Sequence, residues 1–344
     1  MTDKEASEYL SSKKIRHKAI RRIPEGANHF VFDVTLDNGE QAIARFGSGR
    51  QHKRDSLFGG LLCRHREESN INRIREIGLP APVILFTSEE FMLVEKLPGL
   101  LWNEYLEKNQ HTLEACSKSL KSLGKSIAQL QRSANASSFG DADGREVSGR
   151  SRKIFAMRML DVLEYRMRNS SRVFSKGEAV DISHYFQTHL ETGRTDEPPP
   201  SFVMTDMHPM NFLVGEDGQP TGFFDLETCQ YAHPALEMYG IRLFLFNYYS
   251  NIHTAEKAFF NSFREEGGCY DPELPRSKEL ETVLGLMRLL ELTISYMDVD
   301  DGLRNSWSSR FKILLFKGIA GNNMDWSGAA DILREKTQQP LKAL

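Results

Sequence analysis

The chain has 344 residues and a formal net charge of −3, with 40% hydrophobic and 26% charged side chains, enough for two domains or one two-lobed body. That slightly acidic balance argues against a dedicated nucleic-acid binder, and no apolar run is long enough to span a bilayer; IRLFLFNYY, among the longest, is too short. MTDKEASEYL lacks the order of a secretory signal, and Cys63, Cys116, Cys229 and Cys269 show no paired spacing, so they read as buried free thiols in a cytoplasmic protein.

The basic run KKIRHKAIRR (Lys13 to Arg22) is expected to be a solvated N-terminal helix face running into the first strand, rather than a nucleic-acid or membrane patch. Two strand-like runs follow, HFVFDVTL and QAIARF, joined by Asp37-Asn38-Gly39, a strong hairpin signal. FGGLLCRHREESNINRIREIG then reads as a helix closed by Gly78, with Pro80 and Pro82 just beyond. PVILF and FMLVE are two more short strands, and Pro98-Gly99 breaks the chain.

Beyond residue 100 the texture becomes helical. In TLEACSKSLKSLGKSIAQLQ the apolar side chains Leu113, Leu120, Leu123, Ile127 and Leu130 recur at helical spacing. Further helices are expected around 151–169, 178–192, 232–249, 277–296, 306–320 and 327–336. The chain therefore reads as a small β-rich lobe, a hinge near 95–99, and a larger helical lobe carrying one irregular β segment at 201–227.

That segment, SFVMTDMHPMNFLVGEDGQPTGFFDLET, sets Asp206, Asn211 and Asp225 beside three short apolar runs. Phosphoryl transfer needs a carboxylate to orient and deprotonate the attacking hydroxyl, and hard oxygen ligands to hold magnesium against the phosphates. D-x-x-x-x-N followed by a later Asp supplies those parts in the order used by protein kinases, with Asp206 as base and Asn211 and Asp225 as metal ligands. The same three residues could instead cap turns and begin a helix.

TDMHPMNFLV…GFFDLET resembles the H-G-D-x-H-P-x-N…D segment of the aminoglycoside phosphotransferase and choline kinase family, at Asp206, His208, Pro209, Asn211 and Asp225. The resemblance covers roughly residues 20 to 250 and implies an α+β, protein-kinase-like two-lobed fold. Its small β-rich N-lobe (1–97) would bind nucleotide, and its larger, mainly helical C-lobe (98–344) would hold the catalytic and acceptor residues. The implied activity moves the γ-phosphoryl group of ATP or GTP, with Mg2+, to a hydroxyl of an aminoglycoside-like or other amino or hydroxy metabolite.

The resemblance places further residues. PEGANHFVFDV is similar to the family's nucleotide loop, where Gly26 would let the backbone approach phosphates; a plain β-turn is the alternative. Arg45, ending QAIAR, falls where the family puts a basic residue on the α/β-phosphates. Glu67 is expected to point inward and orient it, on one helical face with Ile71 and Ile74, while Glu68 is solvated. Both acids could also simply offset Arg64 and Arg66. The backbone of Glu95 to Leu97 would meet the purine edge.

Glu227 would face the cleft, either positioning substrate or bonding a backbone amide, and Glu237 would be structural. Asp298, Asp300 and Asp301 in YMDVDDG would favour a cationic acceptor, although Asp and Gly are also ordinary turn formers. The family's His-Gly before the catalytic Asp is Met204-Thr205 here, and Asp225 is followed by Leu-Glu with no A-P-E, so a protein substrate is not expected. His208 reads as structural. The rivals are a catalytically silent kinase-like binding protein and an oxygen-ligated metallohydrolase; the latter's extra His/Asp cluster is missing. Neither nucleic acid nor membrane is an expected partner, and the oligomeric state is not legible.

Overall fold

A computed structural model describes residues 1–23, 29–47, 64–133, 139–140, 155–168, 170–190, 200–246, 253–296 and 302–337. Gly26, Cys63, Asp298, Asp300 and Asp301 lie outside them.

The N-terminal part is an antiparallel sheet in the order β1-β2-β3-β5-β4. Its strands are β1 (His17–Ile23), β2 (His29–Leu36), β3 (Gln41–Gly47), β4 (Ile84–Thr87) and β5 (Phe91–Glu95). The Asp37-Asn38-Gly39 turn joins β2 to β3, with Gly39 at φ 89°, a conformation that glycine takes without a Cβ penalty. Alternation along β3 decides what faces the cleft. Ala42, Ala44 and Phe46 are buried on one face, so Ile43 and Arg45 project from the other.

The Phe46 face is covered by α1 (Asp3–Ser12), whose Ala6 and Leu10 are fully buried and whose Tyr9 ring meets Phe46 and Phe91 edge-on at 5.4 and 5.3 Å. This helix corrects the expectation for the basic run. It ends before Lys13, and the run instead forms a turn and the edge strand β1, where Lys18, Arg21 and Arg22 are exposed. Charges on an edge strand discourage pairing with other chains.

Across the opposite face lies α2 (Arg64–Glu76), with Ile71 and Ile74 in the main core. After β5 come β6 (Leu100–Leu101) and α3 (Trp102–Lys108), neither signalled by the sequence pattern. The helical part then follows as α4 (Leu113–Ser133), α5 (Phe155–Arg168) and α6 (Lys176–Leu190). The irregular β segment is β7 (Ser201–Val203), β8 (Phe212–Val214), β9 (Pro220–Phe223) and β10 (Gln230–Ala232). β10 pairs with β7, and β8 lies between β6 and β9.

The helix expected over 232–249 starts three residues later. It is α7 (Ala235–Ile241), which widens into a π-helical turn over Arg242–Phe246. A separate helix, α8 (His253–Glu265), packs along α4. Its Phe259, Phe260 and Phe263 are buried against that seam, where Gly124 brings the backbones together. The chain closes with α9 (Pro275–Ser295), α10 (Gly302–Gly321) and α11 (Trp326–Thr337). Cys116 and Cys229 are buried as expected, but Cys269 is exposed, its Sγ within 3.4 Å of Gln131 Oε1.

Candidate active site

Strand β7 is wholly buried and delivers the chain to Asp206 at its end. The next five residues fold back on themselves: His208 N donates to Asp206 O at 2.9 Å, and Asn211 N donates to His208 O at 2.9 Å. Asn211 closes this loop with its side chain, Nδ2 donating to Asp206 O at 2.9 Å and lying 3.4 Å from Asp206 Oδ2. Phe224 N donates to Asn211 O at 3.1 Å, so the Asp225 segment is tied to the same loop. Asp206, Asn211 and Asp225 thus line one small hollow with Met204, Met207 and Thr228.

His208 serves this loop rather than reacting in it. Its Nδ1 accepts from Met210 N at 3.3 Å, and its ring packs on Phe244 at 5.4 Å. Thr205, standing where glycine is usual, is buried and donates from Oγ1 to Thr228 O at 3.0 Å. Behind the loop, Glu237 is fully buried and accepts from Met204 N at 3.0 Å and Gln131 Nε2 at 2.7 Å. Burial pushes its carboxyl up to about 8 despite both donors.

Arg45 reaches the hollow from β3. Its guanidinium pairs with Glu67 of α2 and, through Nη2, with Asp225 Oδ1 at 2.9 Å. Glu67 is 2% exposed while Glu68 is only half-buried, so Glu67 alone of the two turns fully inward. Arg66, instead of offsetting the acids in solvent, is itself buried, with Nη2 3.5 Å from Cys229 O.

Glu227 faces His29, whose Nε2 lies 3.4 Å from Glu227 Oε2. Burial works against ionisation of Glu227, but the His29 hydrogen bond and the charges of Arg45, His29 and Arg66 outweigh it and hold the carboxyl below its ordinary value. At the segment joining the two parts, Glu95 N is spent on Val83 O at 2.9 Å and Lys96 N on Gln41 O at 3.1 Å. Of the backbone donors in the stretch from Glu95 to Leu97 where a purine edge is expected, these two are therefore already used.

Among the described residues no group of three or more His, Cys, Asp or Glu side chains gathers to hold a metal. The hollow instead offers two carboxylates and one amide; with Asp206 kept as the base, Asp225 and Asn211 are the donors left for a metal. Magnesium takes one or two such oxygens and fills its shell with phosphate and water, so this donor set fits it. His29, Arg66 and Asn70 were not signalled by the sequence, because their partners are residues 226 to 229, far along the chain. The one available hint is Asn70, a polar residue on the Glu67–Ile71–Ile74 face of α2.

The model of the phosphotransferase enzyme family (APH) matches residues 19–256. No curated protein matches the sequence. Among solved structures, macrolide 2'-phosphotransferase MphH from Brachybacterium faecium is 15% identical, covers 89% of this chain and 97% of its own, and superposes with a TM-score of 0.58. The GDP complex of wild-type aminoglycoside 2'-phosphotransferase-IIIa is 13% identical over 94% of this chain and 100% of its own, TM-score 0.61. The streptomycin–ATP complex of APH(2'')-IIa is 11% identical over 95% and 99%, TM-score 0.56. At such identities the likeness shows the fold, which is protein-kinase-like, with an antiparallel-sheet N-terminal lobe and a helical C-terminal lobe. Among the described residues no helix is long and apolar enough to cross a membrane.

Proposed function

The chain belongs to the phosphotransferase enzyme family, kinase-like enzymes that act on small molecules, and from that premise we propose that it moves the γ-phosphoryl group of ATP or GTP to a hydroxyl acceptor. The observation that carries this reading is the placement of Asp206, Asn211 and Asp225 around one hollow, with Arg45 reaching it from the opposite lobe. GDP and ATP in the solved relatives support nucleotide use.

In this reading residues 1–97 carry the nucleotide, with Gly26 near the phosphates and Leu97 at the purine edge, and residues 98–344 carry the chemistry. The Asp206 carboxylate accepts the proton of the acceptor hydroxyl as the hydroxyl oxygen bonds to the γ-phosphorus and the bond from that phosphorus to the β–γ bridging oxygen breaks, releasing the nucleoside diphosphate. Arg45, aimed by Glu67, donates to phosphate oxygens, and its planar fork suits two of them at once. Asn211 and Asp225 would hold magnesium, which neutralises phosphate charge when bound.

Small polar acceptors bearing an amine suit Asp298, Asp300 and Asp301, with Glu227 acting at the cleft through its pairing with His29. The protein would work in the cytoplasm. A silent binding protein is the less economical reading, since Asp206, Asn211 and Asp225 are all present.

The test is a transfer screen of purified protein with magnesium and labelled ATP or GTP against amino sugars, macrolides, choline, amino alcohols and sugars. Label on at least one hydroxyl acceptor is expected. Normal nucleotide binding with no transfer to any acceptor would favour the silent reading.

A further inference from the structure

The backbone at Asp225 is strained. Its φ of 56° and ψ of 47° lie in the left-handed region, and its side chain makes no capping bond to the 3-10 turn that follows, Leu226–Thr228. Asp enters that region more readily than most side chains, yet a non-glycine residue persists there only where its surroundings hold it. The question is what holds it.

Asn70 of α2 does. It is fully buried, and its Nδ2 donates to Leu226 O at 2.6 Å and to Cys229 O at 3.1 Å, the two ends of that turn. Its Oδ1 is buried with no partner, so the amide is kept inside the protein at a cost that its donor hydrogens must offset. An apolar side chain would fill the space but leave both carbonyls without this donor. Asn70 also stands three residues after Glu67, on the same helical face. Two arms of one helix therefore converge on one segment: Glu67 through Arg45 to Asp225 Oδ1, and Asn70 directly to the turn behind it.

We propose that Asn70 is a positioning residue, which fixes the Asp225 turn so that a single helix sets both the phosphate-gripping arginine and the metal-holding carboxylate. This rests on the reading of Asp225 as a magnesium ligand. Asn70 touches neither nucleotide nor metal; it acts through the backbone of 226–229. The consequence is selective. Loosening that turn should weaken the part of nucleotide affinity that magnesium contributes, and spare the part supplied by Arg45 and the purine edge.

The test is calorimetric titration of the full-length chain with ADP, in magnesium and in EDTA, for the native protein, Asn70→Asp, Asn70→Ala and Asp225→Ala, each checked by thermal melting. Asn70→Asp keeps the volume but replaces the donor with an acceptor facing two carbonyls; Asn70→Ala removes the group. Both should cut the gain in ADP affinity on adding magnesium by about fivefold or more, the scale of one or two lost hydrogen bonds, while affinity in EDTA stays native-like. Asp225→Ala should abolish the gain. If Asp225→Ala keeps it, the reading of Asp225 fails. If Asp225→Ala loses it while both folded Asn70 variants keep the native gain, the positioning role is overturned and the Asp225 assignment survives. Equal losses in EDTA and in magnesium, including loss through unfolding, would mean that Asn70 only packs α2, and would also overturn the proposal.

Discussion

Truncating Glu67 to Ala should weaken nucleotide binding nearly as much as truncating Arg45. The Glu67 and Arg45 side chains are 3% and 13% exposed, so solvent cannot replace the lost partner. Removing one member of such a buried pair costs about 3–5 kcal/mol of stability. Arg45 keeps Asp225 Oδ1 at 2.9 Å, so its charge is not orphaned and the cost should fall at the low end, about 3 kcal/mol. The functional loss has a second origin. Without Glu67 the guanidinium is free to swing wholly onto Asp225, away from where the proposed function puts the phosphates and onto an oxygen that would otherwise hold magnesium. Losing one oriented, charged hydrogen bond is worth about 1.5–3 kcal/mol, or roughly 10- to 100-fold in nucleotide affinity. Calorimetric titration of Glu67→Ala, Arg45→Ala and the double variant measures this directly. Because both changes remove the same arm, their effects should fall well short of additive. Additivity within about 0.5 kcal/mol would refute the claim that Glu67 acts by aiming Arg45.

Two further outcomes follow from buried groups. Burial raises Glu237 to about 8 from an ordinary 4.5, so between those values the folded chain keeps a proton that the unfolded chain has lost. Its contribution to stability is complete below the lower value and drains away as pH rises through about 8; melting temperature measured from about pH 5 to 9 should fall less steeply in Glu237→Gln, and equal slopes would show an ionised carboxylate. Gly124→Ala should lower the melting temperature by a few degrees, since a Cβ there would meet Phe259 O at 2.5 Å and Ser262 Oγ at 2.6 Å in the α4–α8 seam. An unchanged melting curve would mean the seam opens freely.

The parts of the site set by local pattern were legible in the sequence. Period-two burial along QAIARF puts Arg45 opposite Ala42, Ala44 and Phe46, and Asn38-Gly39 fixes the hairpin that carries it. The spacing of Asp206, Asn211 and Asp225 likewise follows from three short buried strands with the polar residues at their ends.

What was not legible depends on long-range contact. Helix α1 buries only Ala6 and Leu10, too sparse a stripe to stand out from a charged N-terminus. The Phe259–Phe263 pair of α8 has helical spacing, but its burial is decided by α4. Asn70 looks like a weak helix former until residues 226–229 are folded against it, and Glu227, expected to position substrate or bond a backbone amide, meets instead the side chain of His29, which arrives from β2. Cys269 reads as a core thiol and yet is an exposed residue, although its Sγ turns towards the buried Gln131 and Ser201.

The central claim is that Asp206 is the base for transfer to a hydroxyl, and one measurement tests it most directly. With an acceptor found by the transfer screen, the turnover of Asp206→Asn is compared with that of the native chain while nucleotide affinity is followed by titration. Asn211 and the backbone hold the loop from Asp206 O as well as its carboxylate, so the substitution leaves the geometry in place and removes the proton acceptor. Turnover should drop by about 10²-fold or more with nucleotide affinity unchanged. Near-native turnover in Asp206→Asn would contradict the account, and the base would have to be sought elsewhere in the cleft.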